Sequence, residues 1–224
     1  MAAIAQEVVV VSHPQSPAAE EFRRLRTNIQ FSGVDHPLRS VAVVAPHAHS
    51  GRSVVAVNLA AAFGQAGKQT VLVDADLLRP TQHLLLGSRI SPGLTDVIAG
   101  NVDLGEAVAA TDIPLLRLLP AGTPVDNPVI TLNSTRLQGV LAQLAEFADI
   151  VVFDTPSLAE LTDTALFAAN ADGTLLVIDS GKTRRNDGLD AKVLLERVHA
   201  RVLGAVVTHP AHQVGFLQRL FGAA

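Results

Sequence analysis

Short apolar runs rich in β-branched residues recur along this chain, and segments with helical periodicity separate them. The runs predict strands at residues 41–45, 70–73, 115–119, 150–153, 174–178 and 202–207. The helical patterns lie at residues 54–66, 136–147, 162–170 and 186–200. Near-continuous apolar strands separated by helices indicate a parallel sheet that is buried on both faces. The expected fold class is therefore α/β, with a doubly wound, mostly parallel sheet and helices on both faces.

The segment after the first predicted strand stands where a phosphate-binding loop belongs. Such a loop reads Gly, four residues, then Gly-Lys-Ser/Thr, because backbone N–H groups and the Lys contact phosphates. This chain has Pro46 in place of the first Gly and Arg52 in place of the Lys, and it keeps Gly51 and Ser53. The scaffold thus indicates a P-loop NTPase-like protein, whereas the loop indicates impaired nucleotide chemistry. If nucleotide binds, Gly51, Arg52 and Ser53 are the predicted contacts.

Carboxylates follow two other predicted strands. Asp74 and Asp76 end the strand at 70–73, and Asp154 ends the strand at 150–153. Ligands in open α/β sheets bind beyond the carboxyl ends of strands, so these three side chains and Ser53 should converge on one crevice. We predict Asp74, Asp76 and Asp154 as catalytic candidates, and Ser53 and Asp154 as ligands of Mg²⁺ if it is bound. The alternative for Asp74 and Asp76 is that they cap the turn that follows them.

Composition narrows the function classes. The 224 residues include no Cys, which excludes disulfides and thiolate chemistry, and the net charge of −4 argues against a nucleic-acid partner. No apolar run approaches the roughly 18 residues that span a bilayer, so direct membrane insertion is not expected. We predict a single domain over residues 1–224, with an N-terminal appendage at 1–40 and a short C-terminal tail at 213–224. Two histidines, His47 and His49, are too few to predict a metal site.

The appendage is predicted to hold a short strand at Val8–Val11 and a helix that begins near Ser16-Pro17, since Ser followed by Pro favours a helix start. Glu20, Arg23 and Arg26 would share a broad face of that helix. From their spacing alone, this face could simply be solvated.

Several segments carry a resemblance to a known family: residues 16–31, 74–80, 93–100, 119–122, 127–128, 154–156 and 181–185. In this order and spacing they resemble the cytoplasmic kinase domain of the bacterial tyrosine kinases (BY-kinases), which control capsular and exopolysaccharide export. The resemblance covers nearly the whole chain and implies a P-loop NTPase-like fold of the deviant Walker type. It also implies ATP and Mg²⁺ as cofactors and homo-oligomerisation through Glu20, Arg23 and Arg26. The implied partner is a membrane polysaccharide co-polymerase, which would hold a cytoplasmic protein at the inner face of the membrane.

The chain departs from the family pattern at several positions. His49 replaces a loop Gly, Arg52 replaces the Lys, Leu78 replaces a basic residue, Ser157 replaces a Pro and Thr208 replaces an Asn. The family phosphorylates its own C-terminal tyrosines, and this chain contains no Tyr. We therefore expect binding of ATP and Mg²⁺ to be weak or absent, and autophosphorylation on Tyr is chemically excluded.

Three functions remain open at this level. The first is a pseudokinase-like scaffold or regulator of polysaccharide synthesis. The second is an active tyrosine kinase that uses Arg52 and phosphorylates a partner. The third is a partition-type ATPase whose C-terminal segment touches the membrane.

Overall fold

The computed structural model describes residues 4–32, 38–132, 135–160 and 164–209. Its strands form one seven-stranded sheet in the order β3-β4-β2-β5-β1-β6-β7. The strands are β1 (Ser40–Val44), β2 (Thr70–Asp74), β3 (Ala109–Ala110), β4 (Leu116–Leu119), β5 (Ile150–Asp154), β6 (Gly173–Asp179) and β7 (Val202–Thr208). All neighbours are parallel except the β3–β4 pair. The predicted fold class and the six predicted strands are confirmed.

Helices connect the strands and cover both faces of the sheet. They are α1 (Val9–Ser12), α2 (Pro17–Ser32), α3 (Arg52–Gln65), α4 (Gln82–Leu85), α5 (Leu94–Ala99), α6 (Leu104–Ala107), α7 (Pro128–Leu132), α8 (Thr135–Phe147), α9 (Thr164–Asn170) and α10 (Arg185–Arg197). The four helices predicted between strands are confirmed as α3, α8, α9 and α10. The short elements β3, α4, α5, α6 and α7 were not predicted, because six residues or fewer carry too little periodicity to be recognised.

Alternation along the central strands divides the core in two. On β2, Leu72 packs in the cluster that includes α3, whereas Val71 and Val73 pack on the opposite face with residues of α5 and α8. All three side chains are at most 1% exposed. Burial on both faces explains why these strands read as continuous apolar runs rather than as alternating ones.

The strand predicted at Val8–Val11 is wrong, because these residues form the short helix α1 and the turn before it. The apolar side chains of Val8 and Val10 are buried, as a strand would also require. The backbone of Val10, however, bonds to side chains of α3 rather than to another strand. Asn58 Oδ1 accepts the Val10 N–H at 3.1 Å, and Gln65 Nε2 donates to the Val10 carbonyl at 3.1 Å.

The helix predicted near Ser16-Pro17 is confirmed as α2. Ser16 Oγ accepts the backbone N–H of Ala19 at 3.2 Å, which is the contact expected of an N-cap. Helix α2 packs on α3 through Leu25 and Ile29. Across the described ranges, no helix combines the length and hydropathy needed to cross a bilayer. The predicted tail at 213–224 lies outside the described residues.

Candidate nucleotide site

The carboxyl ends of three adjacent strands form the candidate site. Strand β5 lies between β2 and β1, and the register places Asp74 opposite Asp154 and Val43 opposite Asp154. The loop that follows β1 leads directly into α3, which begins at Arg52. The structure therefore brings the loop after β1 and the two strand-terminal carboxylates together, as the sequence predicted.

The Arg52 side chain pairs with two carboxylates of this crevice. Its Nε donates to Asp154 Oδ1 at 2.9 Å, and its Nη2 donates to Asp76 Oδ2 at 2.6 Å. The Arg52 side chain is only 6% exposed. A guanidinium can reach two carboxylates at once because its donors form a rigid fork. Arg52 thus bridges α3 to the ends of both β2 and β5.

Gln82 completes the contacts of Asp154 and was not predicted. Its Nε2 donates to Asp154 Oδ2 at 2.7 Å and to the Ser53 carbonyl at 3.0 Å. The Gln82 side chain is fully buried, and its Oε1 has no hydrogen-bond partner. No local pattern marks this residue, because its role depends on α4 folding back over the crevice.

Asp74 and Asp76 both make the turn contacts that the sequence left open as an alternative. Asp74 Oδ2 accepts the backbone N–H groups of Thr81 at 3.0 Å and of Gln82 at 2.9 Å, at the start of α4. Asp76 Oδ1 accepts the Arg79 N–H at 3.1 Å. The second oxygen of Asp74, Oδ1, is buried without a partner.

The pKa values of these groups reflect burial and mutual charge. Burial raises the pKa of Asp74 well above its ordinary value, and repulsion from Asp154 adds to that shift. Burial also raises the pKa of Asp76, although the Arg52 guanidinium opposes the rise. For Arg52 itself, burial alone would lower the pKa, but attraction by Asp154 and Asp76 outweighs it and the net shift is upward. Arg52 is therefore a buried, permanently charged cation.

The phosphate loop adopts a left-handed backbone at two residues. Gly51 has φ +81° and His49 has φ +56°. A glycine takes this conformation at no steric cost, whereas histidine is strained in it. A Cβ added at Gly51 would meet Thr208 Cγ2 at 3.3 Å, so the loop and the end of β7 are in close contact.

The carbonyl groups of the same loop are held by residues from the C-terminal half. Thr208 Oγ1 donates to the Ser50 carbonyl at 2.8 Å, and Lys182 Nζ donates to the His49 carbonyl at 3.2 Å. The Thr208 hydroxyl therefore supports the loop. Thr208 and Lys182 thus fix the backbone of this loop.

A second set of contacts links the outer edges of the crevice. The Arg79 guanidinium pairs with Glu160, and Ser157 Oγ donates to Glu160 Oε2 at 2.6 Å. Burial would raise the pKa of Glu160, but the hydrogen bonds from Ser157 and Arg79 outweigh it and lower that pKa. The Arg79–Glu160 pair therefore ties the segment after β2 to the segment after β5, and Ser157 holds Glu160 in place.

The side chains present do not fit Mg²⁺ while Arg52 holds this position. Each carboxylate oxygen of Asp76 and Asp154 already accepts an N–H donor, from Arg52, Arg79 or Gln82. Among the residues that the structure describes, no three His, Asp or Glu side chains are grouped so as to hold a metal ion. The predicted pair Ser53 and Asp154 is thus brought to one crevice but is not arranged as a free metal site.

Comparison with known proteins agrees with this architecture. The AAA domain family matches residues 38–200. The tyrosine-protein kinase YwqD of Bacillus subtilis is 34% identical over 202 residues, which cover 90% of this chain and 85% of the relative. The chain belongs to the bacterial tyrosine kinase (BY-kinase) family. Another relative, the putative tyrosine-protein kinase CapB of Staphylococcus aureus, is 31% identical over 194 residues. The match covers 87% of this chain and 85% of the relative.

Solved structures place this BY-kinase in the same fold. The chimerical protein CapA2B2 has a TM-score of 0.85 at 29% identity, over 91% of this chain and 89% of that one. The cell-division ATPase MinD of Pyrococcus furiosus has a TM-score of 0.67 at 25% identity, over 78% of this chain and 74% of that one. The fold is therefore shared with CapA2B2 and, at a lower TM-score, with the cell-division ATPase MinD.

The predicted oligomerisation residues of this BY-kinase lie on α2. Arg23 Nη1 donates to Glu20 Oε2 at 3.2 Å, and Arg26 Nη2 donates to Thr27 Oγ1 at 3.0 Å. Arg26 Nε is buried without a hydrogen-bond partner. Glu20 is about half exposed, so it is accessible to another molecule. The role of this face in self-association remains a prediction.

Proposed function

We propose that this BY-kinase is a scaffold or regulator of exopolysaccharide or capsule synthesis and export, with impaired ATP binding and without tyrosine autophosphorylation. The observation that carries the proposal is the pairing of Arg52 with both Asp154 and Asp76. In a working phosphate loop the residue at this position contacts the β- and γ-phosphates. Here the positive charge of Arg52 is paired with two carboxylates of the protein itself.

The phosphate loop supports the same proposal. A loop that cradles phosphate needs backbone N–H groups that a ligand can approach closely. His49 adds a side chain and left-handed strain at a position where the family has Gly. Binding should therefore suffer, and transfer should suffer more, because the compact ammonium of a Lys is missing at the transferred phosphoryl group.

The absence of Tyr from all 224 residues supports the second half of the proposal. No hydroxyl of the required type exists in the chain for transfer onto itself or onto another copy. A role in assembly does not need that hydroxyl. It needs a surface for self-association and one for a partner.

Self-association is assigned to Glu20, Arg23 and Arg26. A guanidinium can make bidentate contacts with a carboxylate across a subunit boundary. The side chains of Arg23 and Glu20 are 34% and 52% exposed, which supports contact with another molecule at this face. The family resemblance adds a membrane polysaccharide co-polymerase as the partner, which would place the protein in the cytoplasm at the inner face of the membrane.

Calorimetry with Mg-ATP tests the proposal directly. The scaffold role predicts no heat of binding in the micromolar range, and no transfer of labelled phosphate to a co-polymerase that copurifies with the protein. The contrary result is micromolar binding together with transfer that is lost in Asp154→Asn but kept in Asp190→Asn. Asp190 is an exposed residue of α10, so this second variant controls for loss of a carboxylate. That result would establish an active kinase that phosphorylates its partner.

A further inference from the structure

We propose that Arg52 is a resident cation that occupies a latent divalent-cation site made by Asp76, Asp154 and Gln82. The inference rests on the proposed function in one respect, since both treat this crevice as altered from nucleotide use. It goes further by assigning a ligand class to the site and a reason why the ligand is excluded.

The two oxygens that face the guanidinium define the site. Asp154 Oδ1 and Asp76 Oδ2 lie 2.9 Å and 2.6 Å from the Nε and Nη2 atoms of Arg52. The two nitrogens belong to one rigid guanidinium, so the two oxygens are held close to each other. Asp154 is fully buried and Asp76 is 2% exposed. Two ionised carboxylates that face one another in a buried site are stabilised by a positive charge between them.

A third oxygen is available beside them. Gln82 Nε2 lies 2.7 Å from Asp154 Oδ2, and Oε1 is bonded to the same amide carbon, so this oxygen is one amide group away from the carboxylate. That Oε1 is fully buried and has no partner, and buried acceptors in native structures normally have one. An amide oxygen with two carboxylate oxygens is a ligand set that suits Mg²⁺ or Mn²⁺.

Arg52 and a divalent cation exclude one another from these oxygens. Mg²⁺ binds oxygen at about 2.0–2.1 Å, which would place the ion in the space of the guanidinium nitrogens. The two positive charges would also repel strongly in a buried site. The guanidinium therefore does what a metal would do here, and holds the ends of β2 and β5 against α3 without a ligand.

Titration of the full chain with Mn²⁺, without nucleotide, tests the inference. Wild type should show no rise in melting temperature with Mn²⁺. Arg52→Ala should melt at a lower temperature without metal, and it should bind Mn²⁺ at least about tenfold more tightly than wild type, which corresponds to about 1.4 kcal/mol. Arg52→Ala/Asp154→Asn should lose that response. The matched control is Arg79→Ala, which removes a nearby arginine that pairs with Glu160 and leaves the Arg52 contacts in place.

Two results would overturn the inference. One is Mn²⁺ binding to wild type with the same affinity as to Arg52→Ala. The other is a folded Arg52→Ala or Arg52→Met protein that does not bind Mn²⁺. If neither variant folds without metal, the inference requires that Mn²⁺ added during refolding recovers at least one of them, and failure of both counts against it.

The proposed function and this inference can fail separately. If wild type binds Mg-ATP and transfers phosphate but does not bind free Mn²⁺, the scaffold role fails and the resident cation stands. If wild type binds free Mn²⁺ but transfers no phosphate, the resident cation fails and the scaffold role stands.

Discussion

Arg52 and Asp154 are 102 residues apart in sequence, and the Arg52 Nε donates to Asp154 Oδ1 at 2.9 Å in the interior of the protein. This contact joins the first residue of α3 to the last residue of β5. Because both side chains are buried, each depends on the other for its charge to be tolerated. The stability of the crevice therefore depends on this pair, and the proposed loss of nucleotide binding would follow from the same contact.

Asp154→Asn should destabilise the protein by about 3–5 kcal/mol, because removal of one partner leaves Arg52 with less compensation in a buried site. Urea unfolding measured by circular dichroism gives the value. Asp190→Asn should change stability by less than about 0.5 kcal/mol. The double variant Arg52→Met/Asp154→Asn should recover part of the loss, since it removes both charges together. A single variant as stable as wild type would show that the pair is not buried in solution.

Asp74→Asn should change the pH dependence of stability. The raised pKa of Asp74 means that the folded protein holds this proton more tightly than the unfolded chain does. Stability should therefore fall as pH rises from the ordinary carboxyl pKa of about 4 toward the raised value, by at most about 1.4 kcal/mol per pH unit for this proton. Unfolding free energies measured between acid and neutral pH should decline less steeply in Asp74→Asn. Parallel curves for the two proteins would contradict this assignment.

His49→Gly should stabilise the loop by about 0.5–1 kcal/mol. The exposed His49 side chain sits on a backbone with φ +56°, which costs a non-glycine residue about 1–2 kcal/mol, and part of the gain is offset by the greater freedom of Gly in the unfolded chain. Gly51→Ala is the matched variant with the opposite expected change in stability. It should destabilise the protein by about 1–2 kcal/mol, because the same strain appears and the new Cβ meets Thr208 Cγ2. Thermal unfolding of the two variants checks the opposite signs.

Arg26→Ala and Arg23→Ala should weaken self-association at least about tenfold each, because each removes a charged hydrogen-bonding group worth about 1.5–3 kcal/mol. Sedimentation velocity over a range of concentrations measures the effect. Arg24→Ala is the control, since Arg24 lies on the same helix, is 64% exposed and falls outside the Glu20, Arg23, Arg26 pattern. Equal effects of all three variants would indicate a general charge effect rather than this interface.

The sequence alone predicted the central sheet and its covering helices. Each central strand, such as the one that ends at Asp74, reads as a continuous apolar run because both of its faces are buried. The helix α3 is buried along all of Val55–Gly64, and its length of 14 residues distinguishes it from a strand. Val8–Val11 was misread as a strand because β-branched burial does not distinguish a strand from a short helix whose backbone is satisfied by Asn58 and Gln65.

For the candidate site, too, the sequence predicted one part and the tertiary structure decided the rest. The presence of Asp74, Asp76 and Asp154 at strand ends followed from the sequence, because parallel strands bring their carboxyl ends to one edge. The sequence also determined that Arg52 replaces Lys and that no Tyr is available to accept phosphate. Only the tertiary structure decided that the Arg52 guanidinium points to Asp154 and Asp76, and that Gln82 closes the cluster. Long-range charge pairing and the return of α4 over the crevice set those contacts, and neither has a signature in the local order of residues.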